Sequence, residues 1–386
     1  MTDTRIYQND KRENVGIYIH IPFCLSKCHY CDFCSVSRVD GDVKQRYVDM
    51  LCREIEESGK NIAQKLDVDT VYFGGGTPSL LSVRQLERIL KTVDDAFHIC
   101  DGAEITLETN PKTADREKLS KMIKLGINRL SIGMQSANDR ELRSLGRIHG
   151  FSDFVDCFND AREVGFDNIS ADLMYGIPEQ SKESFCHSVK TLCDMSPEHI
   201  SSYCLTVEEG TNFYRRRDKL VFPDEDAVSD MYSEMSGILA ENGYKKYEIS
   251  NFSKPGRESK HNLKYWHCED YLGFGPAAHS YFDGVRFAHS RDIDAYLKGE
   301  SIIIDNEPIG ANEAMNEYVM LGMRLTKGID YSEFFTRFGV DFLQKYAKIK
   351  NYSPEFVALD AEGCCFTEKG MFVSNYVLSD ILEFGE

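Results

Sequence analysis

Cys24, Cys28 and Cys31 follow an apolar run at residues 16–23 and stand at the spacing C-x3-C-x2-C. A four-iron iron–sulfur cluster takes four donors, usually thiolates. Three thiolates from one short loop would leave one iron open to a ligand from outside the protein. An open iron is a place for chemistry, whereas a fully ligated one mainly stores or passes electrons. Half of a zinc site is the competing reading, but zinc knuckles pair one C-x2-C with a second pair farther on. The remaining cysteines do not offer one: Cys364 and Cys365 are adjacent, and Cys186 and Cys193 are widely spaced. Cys34, three residues after Cys31, stays open as a fourth ligand that would close the site.

The elements that must position this loop are legible in the first half of the chain. Candidate strands at 17–21, 70–73, 104–108, 129–134, 168–173 and 199–205 alternate with amphipathic stretches at 47–57, 83–97, 116–125, 154–164 and 183–193. Units of roughly 30 residues with this β-α alternation predict a parallel sheet with helical crossovers. The expected fold is α/β, a partial (β/α)6 TIM-like barrel whose chemistry sits at the C-terminal ends of the strands. After about residue 210 the alternation stops. A helix is expected at 226–242, then a polar, Gly-rich stretch through residue 284, then helices at 312–325, 331–338 and 372–382. The division is an N-terminal extension at 1–15, the barrel at 16–210, a further region at 211–305 and a smaller α-rich C-terminal domain at 306–386.

At 386 residues the chain is too long for one ordinary core. No segment reaches the roughly 20 apolar residues of a membrane span, although peripheral membrane contact stays open. The N-terminal residues lack an apolar signal region, and thirteen cysteines in such a chain point to a reducing cytoplasm. A net charge of -18 argues against nucleic acid as a partner.

Gly74-Gly-Gly-Thr-Pro78 follows the second strand, where glycines let the backbone turn and approach a ligand without Cβ clashes. A glycine turn alone is weak; behind a C-x3-C-x2-C loop it is much stronger. Further along come Thr106-Leu-Glu-Thr-Asn-Pro111, Arg129-Leu-Ser-Ile-Gly-Met-Gln-Ser136, Leu145-Gly-Arg-Ile-His149 and Asp172-Leu-Met-Tyr-Gly-Ile-Pro178. His199-Ile-Ser-Ser-Tyr203, Tyr247-Glu-Ile-Ser-Asn-Phe252, His261-Asn-Leu-Lys-Tyr-Trp266 and Tyr271-Leu-Gly-Phe-Gly-Pro276 complete the series. In this order the motifs resemble the radical S-adenosylmethionine (SAM) proteins of the oxygen-independent coproporphyrinogen III oxidase group, and within it the heme chaperone branch. The likeness runs from about residue 16 to 281 and weakens toward the C-terminus.

The resemblance implies a [4Fe-4S] cluster on Cys24, Cys28 and Cys31, with SAM on the fourth iron through its amino and carboxylate groups. It implies SAM contacts from Tyr18, Tyr30, Gly75, Gly76, Thr77 and Glu108. Gln135, Arg147 and Asp172 match positions that hold a second SAM in the oxidase branch; an ordinary ion pair between Arg147 and Asp172 is the plainer alternative. The oxidase branch carries another cysteine two residues after the third, where this chain has Phe33. The HNxxYW motif at 261–266 marks the chaperone branch and makes His261, Tyr265 and Trp266 candidates for heme contact, since imidazole is a good axial ligand and the rings offer flat apolar surface. Alternatively, His261 and Asn262 only fasten a loop and Trp266 packs in the core. The expected function is a heme chaperone that binds heme or porphyrin and delivers it to acceptor proteins. The rival is an oxygen-independent coproporphyrinogen III oxidase, so whether the chain is an enzyme stays open.

Overall fold

The computed structural model describes residues 14–62 and 64–382, so the expected extension at 1–15 lies outside the described residues except at its last two positions. Six strands form the centre of the fold: β1 (Val15–Ile21), β2 (Asp67–Gly75), β3 (His98–Thr109), β4 (Arg129–Gln135), β5 (Ile169–Tyr175) and β6 (His199–Cys204). They pair in chain order, each parallel to the next. Between them run α1 (Gly41–Asn61), α2 (Val83–Ala96), α3 (Arg116–Lys124), α4 (Phe151–Val164) and α5 (Lys182–Met195). This is the expected (β/α)6 arc. All seven residues of β4 are buried, because helices cover one face of the arc and the barrel interior takes the other.

Local sequence explains where the helices begin. The side chains of Asp40, Ser82, Asp115 and Ser181 each accept a hydrogen bond from a backbone N–H of the first turn, satisfying groups that have no partner within the helix. Helix α4 stops at Gly165, which takes the left-handed conformation that glycine adopts without Cβ strain.

The sheet does not end with this arc. Beyond β6 lie β7 (Lys245–Lys246) and β8 (Asn251–Ser253). Beyond β1 come β9 (Tyr271–Phe274), parallel to it, then the antiparallel β10 (His279–Phe282), β11 (Val285–His289) and β12 (Ile303–Pro308), giving twelve strands in one sheet among the described residues. The polar stretch through residue 284 therefore carries strands of two to four residues, too short for an alternating pattern to stand out. Helix α6 (Glu225–Glu241) covers the β5 side of the sheet, and α7 (Lys260–Trp266) is the HNxxYW segment. A second apolar cluster, including Phe334, Phe342 and Tyr346, holds together α8 (Ala311–Gly322), α9 (Tyr331–Phe338) and a sheet of β13 (Ile329–Asp330), β14 (Val357–Leu359) and β15 (Gly363–Phe366). The expected helix at 372–382 is found at Ser374–Ile381, and a separate short helix, Glu368–Phe372, precedes it. Among the described residues no helix is long and apolar enough to cross a membrane.

Candidate functional site

At the C-terminal ends of the central strands lies a cavity of about 400 Å³, a size that encloses a small-molecule ligand. Cys24, Cys28 and Cys31 all line it, together with Gly75, Gly76 and Thr77 at the end of β2, Glu108 to Pro111 at the end of β3, Gln135, Arg147 and Asp172. The cysteine loop is fastened at several points. Phe23–Cys24 pairs with Val36–Ser37, the His29 N–H donates to the Leu145 carbonyl at 2.9 Å, and the Phe213 N–H donates to the His29 carbonyl at 2.9 Å. The His29 ring bonds the Ser144 carbonyl at 2.9 Å.

Two of the three sulfurs receive hydrogen bonds from one polar chain. Thr77 donates its hydroxyl to Cys24 Sγ at 3.7 Å and accepts from Asn110 Nδ2 at 2.9 Å. Asn110 Oδ1 accepts from Arg147 Nη2, and Arg147 Nη1 donates to Cys28 Sγ at 3.5 Å. Burial, the largest cause, raises Cys24 and pushes Cys31 up to about 11, so without metal these groups are thiols. A metal must displace their protons, and donors to sulfur then favour the thiolate. Among the described residues no three His, Cys, Asp or Glu side chains are arranged to hold a single metal ion. Three unbridged thiols facing one cavity, two of them already hydrogen-bonded by neighbours, form a donor set suited to a cluster.

The wall of the cavity also carries polar atoms with nothing to bond. Thr109 Oγ1, Arg129 Nε, Gln135 Oε1, Arg147 Nε and His149 Nε2 are buried and have no protein partner. A buried unpaired polar group costs about 1–3 kcal/mol, so their concentration here fits a polar ligand that completes them. Gln135 also sits in the left-handed region at φ 62°, beside a register shift between β4 and β5, and such strain collects at functional sites.

Glu108 is held by two donors: the Tyr72 hydroxyl at 2.9 Å and the Gly75 N–H at 3.1 Å. Burial first, then the neighbouring Asp172, lifts its carboxyl from 4.5 to about 7. The folded state therefore binds this proton more tightly than the unfolded chain, and stability falls as pH rises from about 4.5 to 7. At 1.36 kcal/mol for each pH unit the full effect is on the order of 3 kcal/mol. Glu108→Gln should flatten the pH dependence of stability, since the Tyr72 hydroxyl can turn to accept from the new amide. Glu54, also pushed up to about 7 by burial, would leave a residual slope. Denaturant unfolding at pH 5 and pH 8 measures this; equal slopes in wild type and variant would refute it.

Comparison with known proteins places the chain. Residues 18–192 match the radical SAM superfamily and residues 309–373 the HemN C-terminal domain. The heme chaperone HemW of Bacillus subtilis (strain 168) is 34% identical over 375 residues, spanning 95% of this chain and 98% of its own. The chain belongs to the HemW family of radical SAM proteins. The HemW of Synechocystis sp. is 38% identical over 82% of this chain and 79% of its own, and that of Escherichia coli (strain K12) 35% over 84% and 86%. The fold is similar to that of coproporphyrinogen III oxidase (HemN) from Escherichia coli, with a TM-score of 0.84 at 23% identity, covering 96% of this chain and 90% of that one.

In this HemW-family chain, Tyr30, Gly75, Gly76, Thr77, Glu108, Gln135, Arg147 and Asp172 all line the one cavity. Tyr18 is not among the lining residues: its ring stacks at 6.2 Å on Tyr72, which does line the cavity, and its hydroxyl bonds His20 Nδ1 at 3.0 Å. Arg147 and Asp172 do not pair with each other: Arg147 donates to Asn110 and the Gly133 carbonyl, and Asp172 accepts from the Ser131 hydroxyl at 3.1 Å. The HNxxYW motif packs inside the fold. His261 is 1% exposed, with Nδ1 bonded to the Thr70 hydroxyl and Nε2 to the Tyr265 hydroxyl, each at 2.8 Å. Trp266 lies under the Arg324 guanidinium at 4.5 Å. His261 thus has no free nitrogen, because its helix plugs the barrel interior; of this motif only Asn262 lines the cavity. Sequence reasoning gave no role to Asn110, which links Thr77 to Arg147, nor to the buried Arg129; both stand inside quoted motifs, at or next to strand ends.

Proposed function

We propose that this protein is a heme chaperone that carries a [4Fe-4S] cluster and SAM, binds heme and delivers it to acceptor proteins in the cytoplasm. The observation that carries this reading is end-to-end kinship with proteins named heme chaperone HemW, at 34% identity over 95% of the chain. Cys24, Cys28 and Cys31 would hold the cluster. Tyr30, Gly75, Gly76, Thr77, Glu108, Gln135, Arg147 and Asp172 would surround SAM, with Tyr18 bracing His20 and Tyr72 beside them. When bound, cluster and SAM supply one-electron chemistry. The residues of the chain orient and shield it: Thr77 and Arg147 bond the sulfurs, and the Gly75 N–H and Tyr72 fix Glu108. Leu25, Phe33 and Ile148 are exposed at this same cavity and offer apolar surface to a flat tetrapyrrole. His261 is not retained as an iron ligand, since coordination would break one of its two hydrogen bonds.

Phe33 is the feature that bears on the rival reading. It is 66% exposed and lines the cavity at the place where the oxidase branch carries a further cysteine. A phenyl ring cannot supply a thiol's proton or sulfur. Anaerobic incubation of the reconstituted protein with coproporphyrinogen III, beside a heme titration, tests the proposal. The expected result is a Soret change with heme and no release of carbon dioxide. Decarboxylation at the rate of an authentic oxidase, or no heme binding, would overturn it.

A further inference from the structure

Resting on the SAM reading above, we infer that His149 is a ligand-contacting residue of the cavity, whose Nε2 accepts a hydrogen bond from the nucleoside half of SAM. His149 lines the cavity, is 4% exposed, and its Nε2 has no protein partner. The ring also lies within hydrogen-bonding reach of the Met134 carbonyl, and since Nε2 has no partner that contact falls to the other ring nitrogen. A carbonyl only accepts, so Nδ1 carries the hydrogen and Nε2 is left as a bare lone pair. Protonation does not relieve it: burial and then the adjacent Arg147 cation hold this imidazole down at about 3. The missing hydrogen must come from a bound molecule.

The chemistry of SAM narrows the donor. Its hydrogen-bond donors are the α-ammonium, the adenine amine and the ribose hydroxyls. The reading above places the amino and carboxylate groups on the open iron. The adenine amine and ribose hydroxyls remain, and both belong to the adenosine half. Neutral His149 suits either, because it accepts without adding charge beside Arg147. The neighbouring Gln135 Oε1 is a second buried acceptor without a partner, and the unpaired Nε atoms of Arg129 and Arg147 on the same wall are donors that only donate, so His149 and Gln135 supply its accepting side.

Calorimetric titration of the reconstituted, anaerobic protein with SAM, adenosine and methionine separately tests this, in wild type, His149→Leu and His149→Gln. Loss of one buried acceptor bond is expected to weaken SAM and adenosine about tenfold in His149→Leu. Methionine affinity and iron content should not change, and His149→Gln, whose amide oxygen restores an acceptor, should recover part of the loss. Selective ¹⁵N labelling of histidine gives a second readout that needs no variant: adenosine should shift the Nε2 resonance and methionine should not. Unchanged adenosine affinity in His149→Leu with full iron content, or no ¹⁵N shift in wild type, would overturn the inference while leaving SAM binding intact. So would a loss confined to methionine, or a Soret band altered by His149→Leu, which would make the imidazole an iron ligand instead. Failure of the wild-type protein to bind SAM at all would remove both this inference and the reading beneath it.

Discussion

Reconstituted iron should fall to background in Cys28→Ala and stay at the wild-type level in Cys34→Ala. The two cysteines are six residues apart and differ in what they face. Cys28 Sγ lines the cavity and receives a hydrogen bond from Arg147 at 3.5 Å. Cys34 is only 8% exposed and is not among the lining residues; its thiol points to the Arg291 carbonyl at 3.5 Å and its own carbonyl accepts from His20 Nε2 at 2.8 Å. A thiol turned toward a backbone carbonyl, in a loop end held by a buried imidazole, cannot reach the cavity without unfastening that end. Loss of one of three thiolates leaves a cluster with two protein ligands, too few to hold it, whereas loss of Cys34 removes a packed side chain. Iron and sulfide analysis with the visible absorption of the cluster measures both variants. Iron retained in Cys28→Ala, or lost in Cys34→Ala from a protein that still unfolds cooperatively, would sink the ligand assignment.

What the sequence made legible and what it hid follow from the range of the interactions involved. The cysteine loop, the glycine turn and the strand-end carboxylates are set by local spacing, and the parallel strands bring them to one face because every β-α unit turns the same way. Strand β2 extends three residues before the expected 70–73 and two beyond, since its apolar pattern is diluted by Asp67 and Asp69 at one end and glycines at the other. The strands flanking the arc are hidden for a different reason. β9 is four residues long and owes its existence to pairing with β1, some 250 positions earlier, a contact no window can see. Side-chain direction is hidden in the same way. In β1 the odd-numbered residues from Val15 to Ile21 are buried in the core, so Tyr18 and His20 face the barrel interior, and only packing decides that Tyr18 meets His20, Tyr72 and His261. The HNxxYW motif leaves heme contact and internal packing both open in one dimension; in three, His261 is held by two hydrogen bonds and only Asn262 of the motif lines the cavity.

Gly75→Ala should destabilise the protein by about 2–5 kcal/mol, combining roughly 1–2 kcal/mol of left-handed strain with roughly 1–3 kcal/mol of overpacking. Gly75 has φ 105°, and a Cβ there would stand 2.5 Å from Cε1 and 2.6 Å from Nδ1 of His20. That imidazole cannot swing aside freely, because Tyr18 holds Nδ1 at 3.0 Å and the Cys34 carbonyl holds Nε2 at 2.8 Å. Moving it would release the far end of the cysteine loop, so iron uptake should fall together with stability. Gly102 supplies the control: it has φ 77°, and a methyl group added there would meet nothing within 4 Å, so Gly102→Ala should show the strain alone. Denaturant unfolding of both variants separates the two contributions, and equal losses would mean that the His20 contact is unimportant. The double variant Gly75→Ala with His20→Ala makes the link sharper. If the methyl acts by displacing the imidazole, the two losses must be strongly non-additive, since a ring already removed cannot be pushed. Additive losses would disconnect the glycine turn from the cysteine loop and leave His20 as an ordinary buried histidine.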